Sequence, residues 1–206
     1  INLLEERLAT LQEELSNLKK VSYIQMITKQ LDEKDNELKM YRHRFEKSQK
    51  LVLILIVFGV LARLMPHPPN FSPVTAIALF SGLNFTNKKI AFTVPLIVLI
   101  ISDFFLGFSL INLFVYFSFL TIVFIGTQIK KIKYYNILFS SIVFFIISNF
   151  GVWIIGYPLN FEGLILCYTM AIPFFGYSIC GDLFFGYLFK FSHRKISEKV
   201  IYNNII

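Results

Sequence analysis

The sequence predicts an all-α membrane protein, a six-transmembrane-helix bundle preceded by a long N-terminal coiled-coil helix. Three observations carry this. Of the 206 residues, 55% are hydrophobic and 16% charged, and the mean hydropathy is +0.62. The charges are unevenly placed: 19 lie in residues 1–50 and four in 193–206, leaving 10 for the 142 residues from 51 to 192. A soluble domain is about a quarter charged, so the long middle stretch reads as lipid-embedded. Finally, no glycine or proline precedes Gly59, and the first 50 residues are mostly strong helix formers. The expected domains are 1–50, a cytoplasmic helix continuous with the first span; 51–192, the membrane domain; and 193–206, a cytoplasmic tail.

Within the N-terminal helix, Leu4, Leu8, Leu11, Leu15 and Leu18 follow a 4-3-4-3 spacing, the seam of a coiled coil. Ile24, Ile27, Leu31, Leu38, Tyr41 and Phe45 follow a similar spacing in another phase. The break near Lys19–Tyr23 reads as a stutter or stammer, which alters the supercoil locally. The alternative is a single solvated helix laced with Glu/Lys pairs. A partner for the seam is another copy, a different protein, or a later helix of this chain. Arg42, Arg44, Lys47 and Lys50 mark the cytoplasmic membrane surface, where anionic lipid attracts each by about 1 kcal/mol. Residue 1 is Ile and no signal-peptide pattern is visible, so the chain is read as trimmed or as starting inside a longer one.

Six apolar stretches follow: 51–65, 71–85, 90–108, 109–129, 137–157 and 163–191. A span needs about 20 residues to cross a core of roughly 30 Å, so the first two are short and a re-entrant hairpin is the alternative. The basic residues argue against the hairpin. With the N-terminus inside and six crossings, Lys88 and Lys89, then Lys130, Lys131 and Lys133, then Lys190, Arg194 and Lys195 all fall on the cytoplasmic side. The opposite connections, Pro66–Asn70, Gly107–Ser109 and Tyr157–Gly163, contain no Lys or Arg. The expected location is a bacterial inner membrane, or an organelle of bacterial descent, with both termini cytoplasmic.

Polar groups inside apolar spans are functional candidates by default, because each is costly unless satisfied. Arg63 lies near the outer end of span 1, ahead of a segment with prolines at 66, 68, 69 and 73. No regular helix survives there. The segment carries His67 and Asn70, and it is either a rigid connector facing water or part of a wet cavity. Asp103, in span 3, is placed at the depth of Arg63 and would neutralise it if the two spans are adjacent. Asn149, Trp153 and Tyr157 share a face of span 5 at i, i+4 and i+8; they form either an aromatic belt or a cavity wall. Asp182, the deepest acid of span 6, is expected closer to the cytoplasmic half; it reads as a snorkelled ion pair with Lys190, as a helix-packing group or as an ion-coupling one. Ser72, Ala76, Ala78 and Gly82 make span 2 a close-packing surface.

Other chemistries have no support. Cys167 and Cys180 form no CxxC pair, so neither a disulfide framework nor a metal site is expected. No hydrolase, Walker or dinucleotide motif occurs, so no catalytic residue, enzyme activity or cofactor is expected. The net charge of +7 is spread between apolar segments, which argues for membrane topology over nucleic-acid binding.

Residues 62–74 (Ala-Arg-Leu-Met-Pro-His-Pro-Pro-Asn-Phe-Ser-Pro-Val) and 78–82 (Ala-Leu-Phe-Ser-Gly) resemble the opening of a group of uncharacterised bacterial six-span membrane proteins classed as transport proteins. The likeness extends through 102–108, 148–153, 167–175 and 181–183, covering about residues 58–190. That group is similar in size and span count to the substrate-binding S components of energy-coupling-factor (ECF) vitamin transporters. The resemblance implies a domain that captures a small molecule from outside, gated by the first outer loop. Arg63, His67, Asn70, Asp103, Asn149 and Trp153 would then surround an outward-facing pocket, and ECF-type coupling subunits would be partners. The chain departs from the pattern in two places. Gly59 and Ala62 are three residues apart rather than the four of the S-component docking motif, and the N-terminal helix is additional. The alternative function is an accessory or structural subunit of a larger membrane complex, anchored by the six-span domain and docked through the coiled coil.

Overall fold

The computed structural model describes residues 2–202, with side chains for residues 6–191. Six helices follow one another: α1 (Asn2–Leu64), α2 (Val74–Asn84), α3 (Lys88–Leu106), α4 (Ile111–Gln128), α5 (Tyr134–Gly156) and α6 (Phe161–Tyr202). Among the described residues there is no strand. Four helices are long and apolar enough to cross a bilayer: α3, α4, α5 and Phe161–Phe191 of α6. The chain thus fits a helical membrane protein. The apolar end of α1 and the eleven residues of α2 fall short of a full span, because the prolines at 66, 68, 69 and 73 stop both helices.

Two compact units divide at Lys50/Leu51, inside α1. In the first unit Leu8, Leu11, Leu15 and Leu18 are 54–67% exposed, so the stripe has no cover within the unit. The Leu4 side chain lies outside the described residues. Lys34 bonds Glu37 at 2.9 Å and Lys39 bonds Asp35 at 2.6 Å; such exposed pairs add little stability.

In the second unit α2 is the centre. Every residue from Val74 to Gly82 is buried, as expected of a helix that is apolar on all sides. Glycines bring it close to its neighbours: a Cβ on Gly126 of α4 would lie 2.6 Å from the Leu79 carbonyl and 3.0 Å from the Gly82 Cα. Gly59 of α1 faces Ile77 and Val98, each 2.8 Å from where a Cβ would stand. Side-chain contacts tie the helices together. Arg63 meets Asp103, Ser81 meets Ala91, Phe119 meets Phe144 and Ser141 meets Asp182.

One of these contacts resolves a backbone defect. Pro95 sits inside α3 and lacks the N–H that would bond the carbonyl four residues earlier, that of Ala91. The Ser81 hydroxyl of α2 donates to this carbonyl at 3.0 Å instead. Ser81→Ala should therefore cost about 1–3 kcal/mol by orphaning a buried acceptor. Pro95→Ala restores the intrahelical donor, so the double variant should recover most of that loss in detergent thermal unfolding.

Candidate functional site

The polar groups expected at the outer ends of the spans converge only in part. Arg63 extends from the last turn of α1 and its Nη2 pairs with Asp103 Oδ1 at 2.8 Å, the two side chains 18% and 4% exposed. The Arg63 Nη1 donates to Ser102 Oγ at 2.6 Å, and that hydroxyl donates onward to the Val98 carbonyl at 2.7 Å. The other oxygen of Asp103 accepts from Asn112 Nδ2 at 2.9 Å and from the Tyr116 hydroxyl at 2.8 Å. Both oxygens of Asp103 are thus occupied. Its role is to hold Arg63, whose guanidinium carries five N–H donors, more than these two bonds consume.

Between the helices lies a cavity of about 180 Å³. Its polar lining is Arg63, His67, Asn70, Ser72, Thr75 and Ser178; Val74, Leu99, Leu106, Val115, Phe119 and Phe144 form the apolar wall. Every helix contributes at least one side chain.

The segment between α1 and α2 closes one side through its own geometry. Asn70 adopts a left-handed backbone, φ 63°, which Asn tolerates better than most residues. His67 Nδ1 bonds the Pro68 carbonyl at 2.8 Å; a carbonyl only accepts, so Nδ1 carries a proton and Nε2 is left for a ligand. Phe71 anchors the segment to α6, its ring 5.6 Å from that of Phe185 and its backbone against Gly181.

Asn149 and Trp153 do not line this cavity. The Asn149 amide donates to the Phe145 carbonyl at 2.8 Å, and the Trp153 indole donates to the Pro158 carbonyl at 3.0 Å, fastening the α5–α6 turn. At 100° per residue they lie about 140° and 180° around α5 from Phe144, the residue that faces the cavity. The sequence did not say which way these side chains face.

Asp182 is also placed differently. It is 1% exposed and accepts from Ser141 Oγ at 2.6 Å, with the hydroxyls of Thr75 and Ser178 as further donors. Thr75 and Ser178 line the cavity, so Asp182 lies just behind its floor. Lys190 is eight residues away, about 12 Å along the helix, and sits over the Tyr187 ring at 5.5 Å.

Sequence reasoning missed Ser102, Asn112, Tyr116, Thr75, Ser141 and Ser178. The i, i+4 pair Asn112 and Tyr116, one short turn after Asp103, was a usable signal. Hydroxyls are too common in membrane helices to stand out. Among the described residues no three of His, Cys, Asp or Glu converge.

A network of this kind predicts asymmetric mutational costs. Asp103→Ala should destabilise by about 3–5 kcal/mol because it leaves Arg63 buried and unpaired. Replacing both partners with apolar residues (Arg63→Met with Asp103→Leu) should cost much less, a difference readable in chemical or thermal unfolding.

Residues 44–201 match the model of a family of unknown function (DUF6580). No curated protein and no solved structure matches the chain. The match spans most of the sequence, and the chain belongs to this family.

Proposed function

We propose that this DUF6580 member is a membrane transport module that captures a small solute from outside in the cavity beneath residues 65–73, in the manner of ECF S components. The observation that carries the reading is that one cavity draws side chains from all six helices and collects Arg63, His67 and Asn70 at its edge. A volume of about 180 Å³ lies below the roughly 300–1,000 Å³ of drug-sized sites, so the solute is small. With Asp103 saturated, the available groups are the Arg63 N–H donors, His67 Nε2, the Asn70 amide and the hydroxyls of Ser72, Thr75 and Ser178. That set suits a solute with a carboxylate or similar acceptor edge and its own hydroxyl or amine.

In this reading the chain crosses the membrane six times with both termini in the cytoplasm. The succession of apolar helices joined by connections that alternate between Lys-rich and Lys-free supports it. Span 2 is then completed by Phe71–Pro73, partly or fully buried ahead of α2, while the exposed residues Pro66–Asn70 form the outer connection.

Thermal stabilisation of the detergent-purified protein across a panel of small carboxylates, vitamins and metabolites tests this. A binder should lose at least tenfold in affinity, about 1.4 kcal/mol, in Arg63→Lys. Asn149→Ala and Trp153→Phe should bind normally. Absence of any stabilising solute, or equal losses in all three variants, would sink the reading.

A second reading rests on the exposed leucine stripe of residues 8–18: an accessory subunit docked to a partner, or to a second copy, by a coiled coil. The family match begins only at residue 44, which separates this segment from the shared domain. Deleting residues 1–43 should release co-purifying partners while leaving the unfolding temperature of the membrane domain within a few degrees. Retention of the same partners would refute it.

A further inference from the structure

Asp182 is a buried carboxyl group that no cationic side chain among the described residues pairs with. It is 1% exposed and takes part in no ion pair among the described residues. The surrounding elements confirm the deficit. The α2 helix, which supplies Thr75, carries no ionisable residue, and the only ones on α5, which supplies Ser141, are Tyr134 and Tyr135 in its first turn. On α6 itself the nearest are Tyr177, Cys180 and Tyr187, with Lys190 held over the Tyr187 ring. Across the cavity, the charge of Arg63 is balanced by Asp103, and His67 holds its Nδ1 on the Pro68 carbonyl.

Hydroxyl dipoles satisfy hydrogen bonds but do not cancel a charge, and an uncompensated carboxylate inside a membrane domain is expensive. The oxygens around it are of the kind a hard cation takes: one carboxylate and three hydroxyls. The Ser141 hydroxyl also has a second acceptor, the Ile137 carbonyl at 3.1 Å. Its proton can turn there, freeing lone pairs toward an ion.

We propose that Asp182, with the hydroxyls of Thr75, Ser141 and Ser178, binds one monovalent cation, a sodium ion or a proton, directly behind the floor of the cavity. Because Thr75 and Ser178 belong both to this cluster and to the cavity lining, the cation and the contents of the cavity act on the same two hydroxyls. The site stands on the geometry of the cluster and holds whatever the cavity binds.

The test measures the unfolding temperature of the full chain in detergent, in two series. One varies sodium at fixed pH, with choline chloride keeping the ionic strength constant; the other varies pH without sodium. A saturable response that Asp182→Asn abolishes supports the site. Response to sodium identifies that ion, and response to pH alone identifies the proton. Thr75→Val or Ser178→Ala should move the midpoint roughly tenfold in cation concentration, whereas Asp103→Asn should leave it in place. Equal responses in the native chain and Asp182→Asn, or none in either series, overturn the proposal. Should Asp182→Asn fail to fold, unchanged midpoints in Thr75→Val, Ser141→Ala and Ser178→Ala overturn it equally.

Discussion

A helix of eleven residues is about 16 Å long, roughly half the thickness of a bilayer's hydrocarbon core, so α2 must find its packing partners inside the protein. Burial of Val74 to Gly82 without a break is how that is met, and much of the arrangement follows. The other helices are placed where they can reach α2. Gly59 and Gly126 lie where backbone or bulky side chains come too near for a Cβ. The cavity opens at the N-terminal end of α2, where the helix stops and the proline-rich segment cannot fill the space it leaves.

The polar groups around that end obey the same rule, since lipid offers them no partner. Arg63 and Asp103 compensate each other, Asn112 and Tyr116 occupy the second oxygen of Asp103, and Ser102 takes one further N–H of Arg63, whose remaining donors stay free for the cavity. Ser81 answers the carbonyl that Pro95 leaves open. Among the described residues no buried side-chain nitrogen or oxygen lacks a partner. Against that background the Asp182 cluster is unusual in kind: its carboxyl group is met by hydroxyls, and among the described residues no cation pairs with it.

Much of the fold was legible. The apolar stretches drawn from composition coincide to within a few residues with α3, α4, α5 and the apolar part of α6, Phe161–Phe191, because length and hydropathy are properties of the chain alone. The short second stretch became shorter still, since Pro73 sets where α2 can begin. The pairing of Arg63 with Asp103 was expected on the condition that their helices adjoin, and the two side chains do meet. The candidate site was legible in part: Arg63, His67 and Asn70 line the cavity, while Asn149 and Trp153 turn away from it. Asp182 keeps company with hydroxyls rather than with Lys190.

What the sequence determined by itself was therefore one-dimensional. It set which segments are helical and apolar, where prolines interrupt them, and how far along each helix a polar residue lies; these depend only on local propensity and on the cost of placing charge in lipid. Rotation about each helix axis was decided by tertiary packing alone. A 3.6-residue period puts side chains on every face of an apolar helix, and in a span apolar all round the pattern does not say which face meets protein. Close contacts of Gly59, Gly82 and Gly126 with their neighbours fix those rotations. With them comes the choice of which hydroxyls stand beside Asp182 and which aromatics stay outside the cavity.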